Sequence, residues 1–353
     1  MEHRARCYQL TAMRRLFFLL LLFSCSQKSG SPVEIIWENN KAVALSIDRA
    51  ITDPISVSLR GSPTRILGGS DVNTSRYVFT PVVPFERGQT YEVYSGSVLI
   101  TTFTVPADDN RRIPVVKGSF PSCDTVPSNL LKVYLQFSEP MMEGRSSQFV
   151  QLYDNARGDT VRNAFLDLKP ELWNDDRTVL TLWLDPGRIK QDLIPNKELG
   201  VVLDDHKTYR LHVAKGWRSQ AGAALADEYN RLFVTTSRDV VRPDPKKWVV
   251  DAAIDGVVVN TNETLDWSLL NSTLSIWSGN DEILSKTFSE ACERRLVVIP
   301  DKKLSPGSYT LKIEARLEDL AGNNLNRLFE TDVTGEQQKS DNKEVYTLTF
   351  NVN

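Results

Sequence analysis

A chain of 353 residues is long enough for several domains, each with an ordinary apolar core. Its formal net charge is −3, with 45 acidic against 42 basic residues and no basic stripe, which excludes nucleic acid as a partner. The 4 cysteines and 3 histidines fall in no metal-ligand or redox spacing, so neither a metal nor a cofactor is expected.

At the start of the chain, Arg14 and Arg15 precede an unbroken apolar run, 16–23, that closes on Leu22-Phe23-Ser24-Cys25. The run is too short to span a bilayer as a helix. A basic n-region, a short h-region and a small residue before a cysteine resemble a bacterial lipoprotein signal, which implies cleavage after Ser24 and lipid on Cys25. Met13 stands directly before the arginines, so a start at Met1 or Met13 yields the same mature chain. The segment 1–24 is therefore a signal peptide. Its loss removes Arg4, Arg6, Arg14 and Arg15 and leaves a more acidic protein. Residues 25–32, with the small polar stretch Ser26-Gln27-Lys28-Ser29-Gly30-Ser31, form a flexible tether. The resemblance implies a cell-envelope protein held to a membrane by its N-terminal lipid, at the outer membrane or cell surface.

The remainder reads as β throughout. Short alternating or β-branched runs at 33–37, 132–137, 179–184, 296–299 and 310–313 are separated by Pro, Gly, Asn and Asp. At 346–352, Tyr346, Leu348, Phe350 and Val352 alternate with Thr347, Thr349 and Asn351, the pattern of a strand with one buried face. No long helical period competes, so the fold class is all-β, built of β-sandwiches.

The chain also matches itself. Pro81, with Phe85 at +4, Gly88 at +7 and then Tyr91-Glu92-Val93, is matched by Pro300, with Leu304 at +4, Gly307 at +7 and then Tyr309-Thr310-Leu311, and Tyr209-Arg210-Leu211 is a third copy of the closing strand. Pro ends one strand, the apolar residue anchors the connection, Gly turns the chain and Tyr opens the next strand. A longer match sets Ala221-Gly222, Leu225 and Asn230-Arg231-Leu232-Phe233 against Ala321-Gly322, Leu325 and Asn326-Arg327-Leu328-Phe329. It predicts a Gly turn followed by Leu and Phe returning to the core on the final strand.

Phe137-Ser138-Glu139-Pro140-Met141 and Glu318-Asp319-Leu320-Ala321-Gly322-Asn323 resemble the opening and closing motifs of bacterial Ig-like domains of the SbsA type, found in surface-layer and other exported proteins. The first unit lacks both motifs, and in the third the opening is degraded to Asn262-Glu263-Thr264-Leu265-Asp266. The resemblance implies seven-stranded sandwiches, an extracytoplasmic role and no shared reaction. The expected organisation is tandem Ig-like β-sandwiches at 33–106, 112–238 and 246–353. The linkers are the charged 106–112 and the stiff 240–247, which contains Pro243 and Pro245.

Between Pro186 and Tyr209 the second unit carries fourteen residues more than the third does between Pro300 and Tyr309, an excess that falls in 187–207. Long loops at the end of a sandwich either pack on a neighbouring domain or carry function. Arg188, Lys190, Asp204, Asp205 and His206 are the candidate contacts there for an envelope protein or glycan partner.

Chemistry is sparse elsewhere. His206 and His212 alone outlast the signal, and His212 alternates with Leu211 and Val213 on a predicted strand, facing solvent. No serine or cysteine stands in a nucleophile motif, so no catalytic residue is assigned. Asp175-Asp176, Asp204-Asp205 and Asp281-Glu282 lack calcium-loop spacing and read as solvated turns. Trp173, Trp183, Trp217, Trp248, Trp267 and Trp277 fit ordinary core usage, although a row of them on one sheet would suit sugars. Cys123 and Cys292 read as unpaired thiols in different units, and a disulfide between them would require those units to touch. The expected function is a non-catalytic binding or structural module, with an accessory subunit of an envelope complex and a carbohydrate-binding surface lipoprotein as alternatives.

Overall fold

The computed structural model describes residues 33–47, 54–72, 76–108, 110, 112–190, 193–330 and 343–353. The segments expected to be signal peptide and tether, with Cys25, lie outside them. The described chain is all-β, in three consecutive sandwiches with three separate apolar cores.

The first sandwich is formed by β1 (Val33–Glu38), β2 (Lys41–Ile47), β3 (Ile55–Leu59), β4 (Gly68–Val72), β5 (Tyr77–Pro81), β6 (Thr90–Ser95) and β7 (Val98–Thr104). Sheet β1-β2-β5-β4 faces sheet β3-β6-β7, the four-over-three arrangement of a constant-type immunoglobulin domain. Leu45 and Phe79 from one sheet meet Val57, Tyr91 and Val93 from the other, because alternate residues of each strand turn inward.

The second sandwich contains β8 (Val116–Phe120), β9 (Thr125–Pro127), β10 (Lys132–Phe137), β11 (Val150–Asp154), β12 (Leu172–Trp173), β13 (Val179–Trp183), β14 (Thr208–Val213) and β15 (Tyr229–Thr236). Its sheets run β12-β13-β10-β8 and β11-β14-β15-β9, with β9 parallel to β15. Three one-turn helices interrupt it: α1 (Ser146–Phe149), α2 (Pro186–Ile189) and α3 (Ile194–Leu199). The third sandwich contains β16 (Val249–Ala253), β17 (Gly256–Asn260), α4 (Leu270–Thr273), β18 (Leu274–Ser278), β19 (Asp281–Ile283), β20 (Ser285–Glu290), β21 (Arg295–Pro300), β22 (Gly307–Glu314) and β23 (Val345–Val352). Its sheets are β16-β17-β21-β20 and β19-β18-β22-β23.

The repeated tyrosine has one structural role in all three sandwiches. Its hydroxyl accepts a backbone N–H from the connection just before its own strand: Glu86 to Tyr91 at 2.7 Å, Asp204 to Tyr209 at 2.8 Å and Ser305 to Tyr309 at 3.1 Å. This is the tyrosine corner of immunoglobulin-like folds. It satisfies an N–H that the sheet cannot reach.

The repeated Asn-Arg-Leu-Phe string behaves differently in its two copies, which corrects the sequence expectation. Residues 230–233 lie in β15, and Phe233 enters the second core. Residues 326–329 precede the final strand instead of forming it. Phe329 packs, with Leu320, against the core of the second sandwich. The third sandwich closes with β23, where Tyr346, Leu348, Phe350 and Val352 face its core.

The Ala-Gly turns are joints. A Cβ on Gly222 (φ +85°) would lie 3.0 Å from the backbone of Arg87 and 3.1 Å from Ala107 of the first sandwich. A Cβ on Gly322 (φ +80°) would fall 2.5 Å from Leu131 Cδ2 of the second. Both positions therefore require glycine twice over, for the left-handed backbone and for close approach. Neighbouring backbone bonds complete each joint: Asp108 N–H to Ala221 O at 3.0 Å and Leu131 N–H to Leu320 O at 2.9 Å.

Candidate functional site

The connection from β13 to β14 contains the 187–207 segment. Asp185 starts α2 by accepting the Gly187 N–H at 2.8 Å, with Pro186 in the first turn. Arg188 follows, 5% exposed, and donates every one of its N–H groups to a carbonyl. Nε reaches Gly200 O at 2.9 Å, Nη1 reaches Arg162 O at 2.7 Å and Asn163 O at 3.2 Å, and Nη2 reaches Val201 O at 2.8 Å and Leu199 O at 3.4 Å. Burial pulls its pKa down, with the Asp185 carboxylate opposing, yet an arginine keeps its proton. Asn196 Nδ2 returns to Arg188 O at 2.5 Å, so α3 is tied to the same centre.

Arg188 is thus the internal clamp of the loop, which corrects its reading as a partner contact. Four aliphatic side chains of the clamped loop stand exposed, beside the exposed Lys197 and Glu198: Leu193, Ile194, Leu199 and Val201 are 44%, 70%, 56% and 39% exposed. Lys190 is half-buried with its ammonium 4.4 Å from the centre of the Phe329 ring, so one edge of the loop rests on the third sandwich. Asp204, Asp205 and His206 are exposed but stand at the root of the loop. Asp204 O accepts Thr235 Oγ1 at 2.6 Å, and His206 (φ +55°) donates its N–H to Thr235 O at 3.1 Å. The five candidates therefore divide into a buried clamp, an inter-sandwich contact and a polar root.

A second concave feature lies between the second and third sandwiches. It is a cleft of about 410 Å³ lined by Tyr134, Trp173, Asn174, Trp267, Ser268 and Asn271. The Trp267 ring stacks on Phe120 with centroids 4.1 Å apart and planes 7° from parallel. Tyr134 Oη hydrogen-bonds both Asp266 carboxylate oxygens at 2.8 Å and accepts from Ser268 Oγ at 2.9 Å. Burial, reinforced by the Asp266 charge, drives the phenol pKa up, so Tyr134 remains a neutral donor. Lys132 Nζ bridges Asp266 at 3.0 Å and Glu318 at 2.7 Å. Burial lowers its pKa, but those two carboxylates outweigh burial and the net shift is upward.

The sequence reading missed this network. Its one signal was that Lys132, Tyr134 and Gln136 share the face of β10 opposite Val133, Leu135 and Phe137. A tyrosine on a nominally solvated face is a candidate for cover by a neighbour. Among the described residues, no group of three or more His, Cys, Asp or Glu side chains is placed to hold a metal ion. Nor is any described helix long and apolar enough to cross a membrane.

No family model and no curated protein matches the chain. Solved structures similar to this chain include the FN1-FN3 domains of chicken CNTN1, at 13% identity and TM-score 0.21 over 82% of this chain and 93% of that one. The N-terminal part of the bacterial S-layer protein SbsC aligns at 12% identity and TM-score 0.25, over 69% of this chain and 44% of that one. The SGBP-B protein of the Bacteroides ovatus mixed-linkage glucan utilization locus, solved with a mixed-linkage heptasaccharide, aligns at 14% identity and TM-score 0.20, over 91% of this chain and 68% of that one.

Proposed function

We propose that the chain is an exported, lipid-anchored, non-catalytic binding module of the cell envelope that engages a protein partner through the 187–207 loop. One observation carries this reading: a buried arginine ties the described residues of the loop together through its carbonyls while four aliphatic side chains stand exposed. A connection of six residues, 301–306, serves the same step between β21 and β22 in the third sandwich, so the longer loop is not needed to close the fold. Pre-organised apolar surface lowers the ordering cost of association. It is a poor choice for a passive turn, which is ordinarily polar. Support for the anchor is the segment 14–25, and mass spectrometry of the N-terminal peptide of the mature protein tests for lipid on Cys25.

The experiment for the binding role is in-cell crosslinking of the lipidated protein, compared with Ile194→Asp and with a variant whose loop is replaced by a Gly/Ser turn. A single stoichiometric partner, lost in both variants, is the expected result. A partner list that is unchanged in both removes the loop from the function. The cleft beside Trp267 favours a second reading, capture of an oligosaccharide between Trp173 and Trp267, since aromatic faces flanked by amides suit sugar rings. Glycan-array binding abolished by Trp267→Ala, with the crosslinked partner absent, would select it.

A further inference from the structure

The two cysteines of the mature domains, placed in separate sandwiches by the sequence, meet at the joint between the second and third. Cys123 Sγ lies 3.6 Å from the carbonyl oxygen of Cys292 and 3.6 Å from Thr264 Oγ1. Both thiols are free in this structure. The Cys292 thiol itself also lies beside Cys123, close enough to raise its pKa.

Both backbones are held in place. On the second sandwich, Arg231 donates to the carbonyls of Ser119, Pro121 and Cys123. On the third, the tip between β20 and β21 puts three successive residues, Ala291, Cys292 and Glu293, at φ +46°, +63° and +51°. A run of left-handed non-glycine residues is costly and persists only when the surroundings enforce it. The enforcing contacts are at hand: Glu293 accepts the Ser122 N–H at 2.9 Å across the joint, and Arg294 Nε donates to Thr264 Oγ1 at 3.0 Å. The tip therefore presents Cys292 to Cys123.

We propose that Cys123 and Cys292 form a reversible disulfide that locks the second sandwich to the third. The oxidant is a small-molecule or protein disulfide, RSSR, of the kind met outside the cytoplasm. Cys292 is the half-exposed partner and reacts first. Its thiolate attacks one sulfur of RSSR, expels RS⁻ and forms Cys292–S–S–R. Cys123 then transfers its proton to RS⁻ and attacks the Cys292 sulfur, breaking that mixed disulfide and expelling the second RS⁻, which takes up the Cys292 proton. Two protein thiols and one RSSR become one protein disulfide and two RSH, a two-electron oxidation of the protein. Burial, and next the adjoining Cys292 thiol, push Cys123 up to about 12, which fits this order of attack. The step needs no partner on the 187–207 loop and stands or falls separately from the binding role.

The two cysteines are 169 residues apart, so the bond closes a long loop of the unfolded chain. The test uses the full chain carrying Cys7→Ser and Cys25→Ser, so that positions 123 and 292 hold its only thiols. After incubation with excess oxidised glutathione under native conditions, non-reducing digestion and mass spectrometry should give the Cys123–Cys292 linked peptides. Both titratable thiols should be gone, in a monomer on a non-reducing gel. The thermal midpoint should rise on oxidation, return on reduction, and stay fixed in a further Cys292→Ser variant. Two thiols that remain titratable, a stable glutathione adduct on Cys292 with Cys123 still free, or covalent dimers would each overturn the proposal. So would an equal thermal shift in Cys292→Ser.

Discussion

Arg188 shows how a single charged side chain is misread from sequence. A basic residue in a polar stretch of a long loop is ordinarily solvated, and nothing in the string links it to residues 162–163, whose carbonyls lie in a different connection. Only the fold brings those carbonyls and the ones at 199–201 around one guanidinium. Removing it strands five acceptors at once. Arg188→Ala should destabilise the second sandwich by about 3 kcal/mol or more. Arg188→Lys should recover little, because a single ammonium cannot span the same fork. Urea titration monitored by tryptophan fluorescence reads both, and an unshifted midpoint would contradict the clamp. Asp319 is the other informative residue. Burial raises its carboxyl from the ordinary 3.8 to about 8, although N–H groups of Asn323 and Ala321 pull the other way. The folded pKa lies above the unfolded one, so folding takes up a proton between those values. The associated stability is complete below about 3.8 and is lost as pH rises through 8. The thermal midpoint should fall as pH rises from about 4 to about 8 in the parent protein, and Asp319→Asn should lose that dependence.

At the scale of the element, the strands were legible because one face of each is buried and period-two alternation records it. The repeated tyrosine was legible as a strand opener, while its hydrogen bond to the preceding connection was visible only in three dimensions. Tyr209→Phe keeps the ring stacked on Phe233 and leaves the Asp204 N–H without its acceptor, at a cost of about 1 kcal/mol in chemical denaturation. A loss near zero would show that water replaces the hydroxyl. The twin Asn-Arg-Leu-Phe strings mark where local pattern stops being informative. The same four residues form a strand where a paired neighbour, β14, offers its edge. They form a wedge against another core where β23 already occupies that edge. Tertiary competition, absent from any window of sequence, decides between the two.

At the scale of the whole molecule, the contact between sandwiches was the least legible feature, because it is built on outer faces that alternation assigns to water. Alternation puts Lys132 and Tyr134 on the outer face of β10, where they meet Asp266 and Glu318 across the joint. Removing one partner of such a nearly buried set leaves the other uncompensated. Lys132→Ala should therefore cost about 3 kcal/mol of coupling between the second and third sandwiches. Differential scanning calorimetry should resolve two transitions where the parent shows them merged, and a single unshifted transition would sink the idea. The glycine turns carry a different implication. In the second and third sandwiches alike, the turn that meets the preceding neighbour lies toward the C-terminal end of its own sandwich, at Gly222 against Arg87 and Ala107, and at Gly322 against Leu131. The receiving half of each joint is accordingly synthesised before the docking half. Duplication of a whole repeat therefore carries its own coupling to the neighbour upstream.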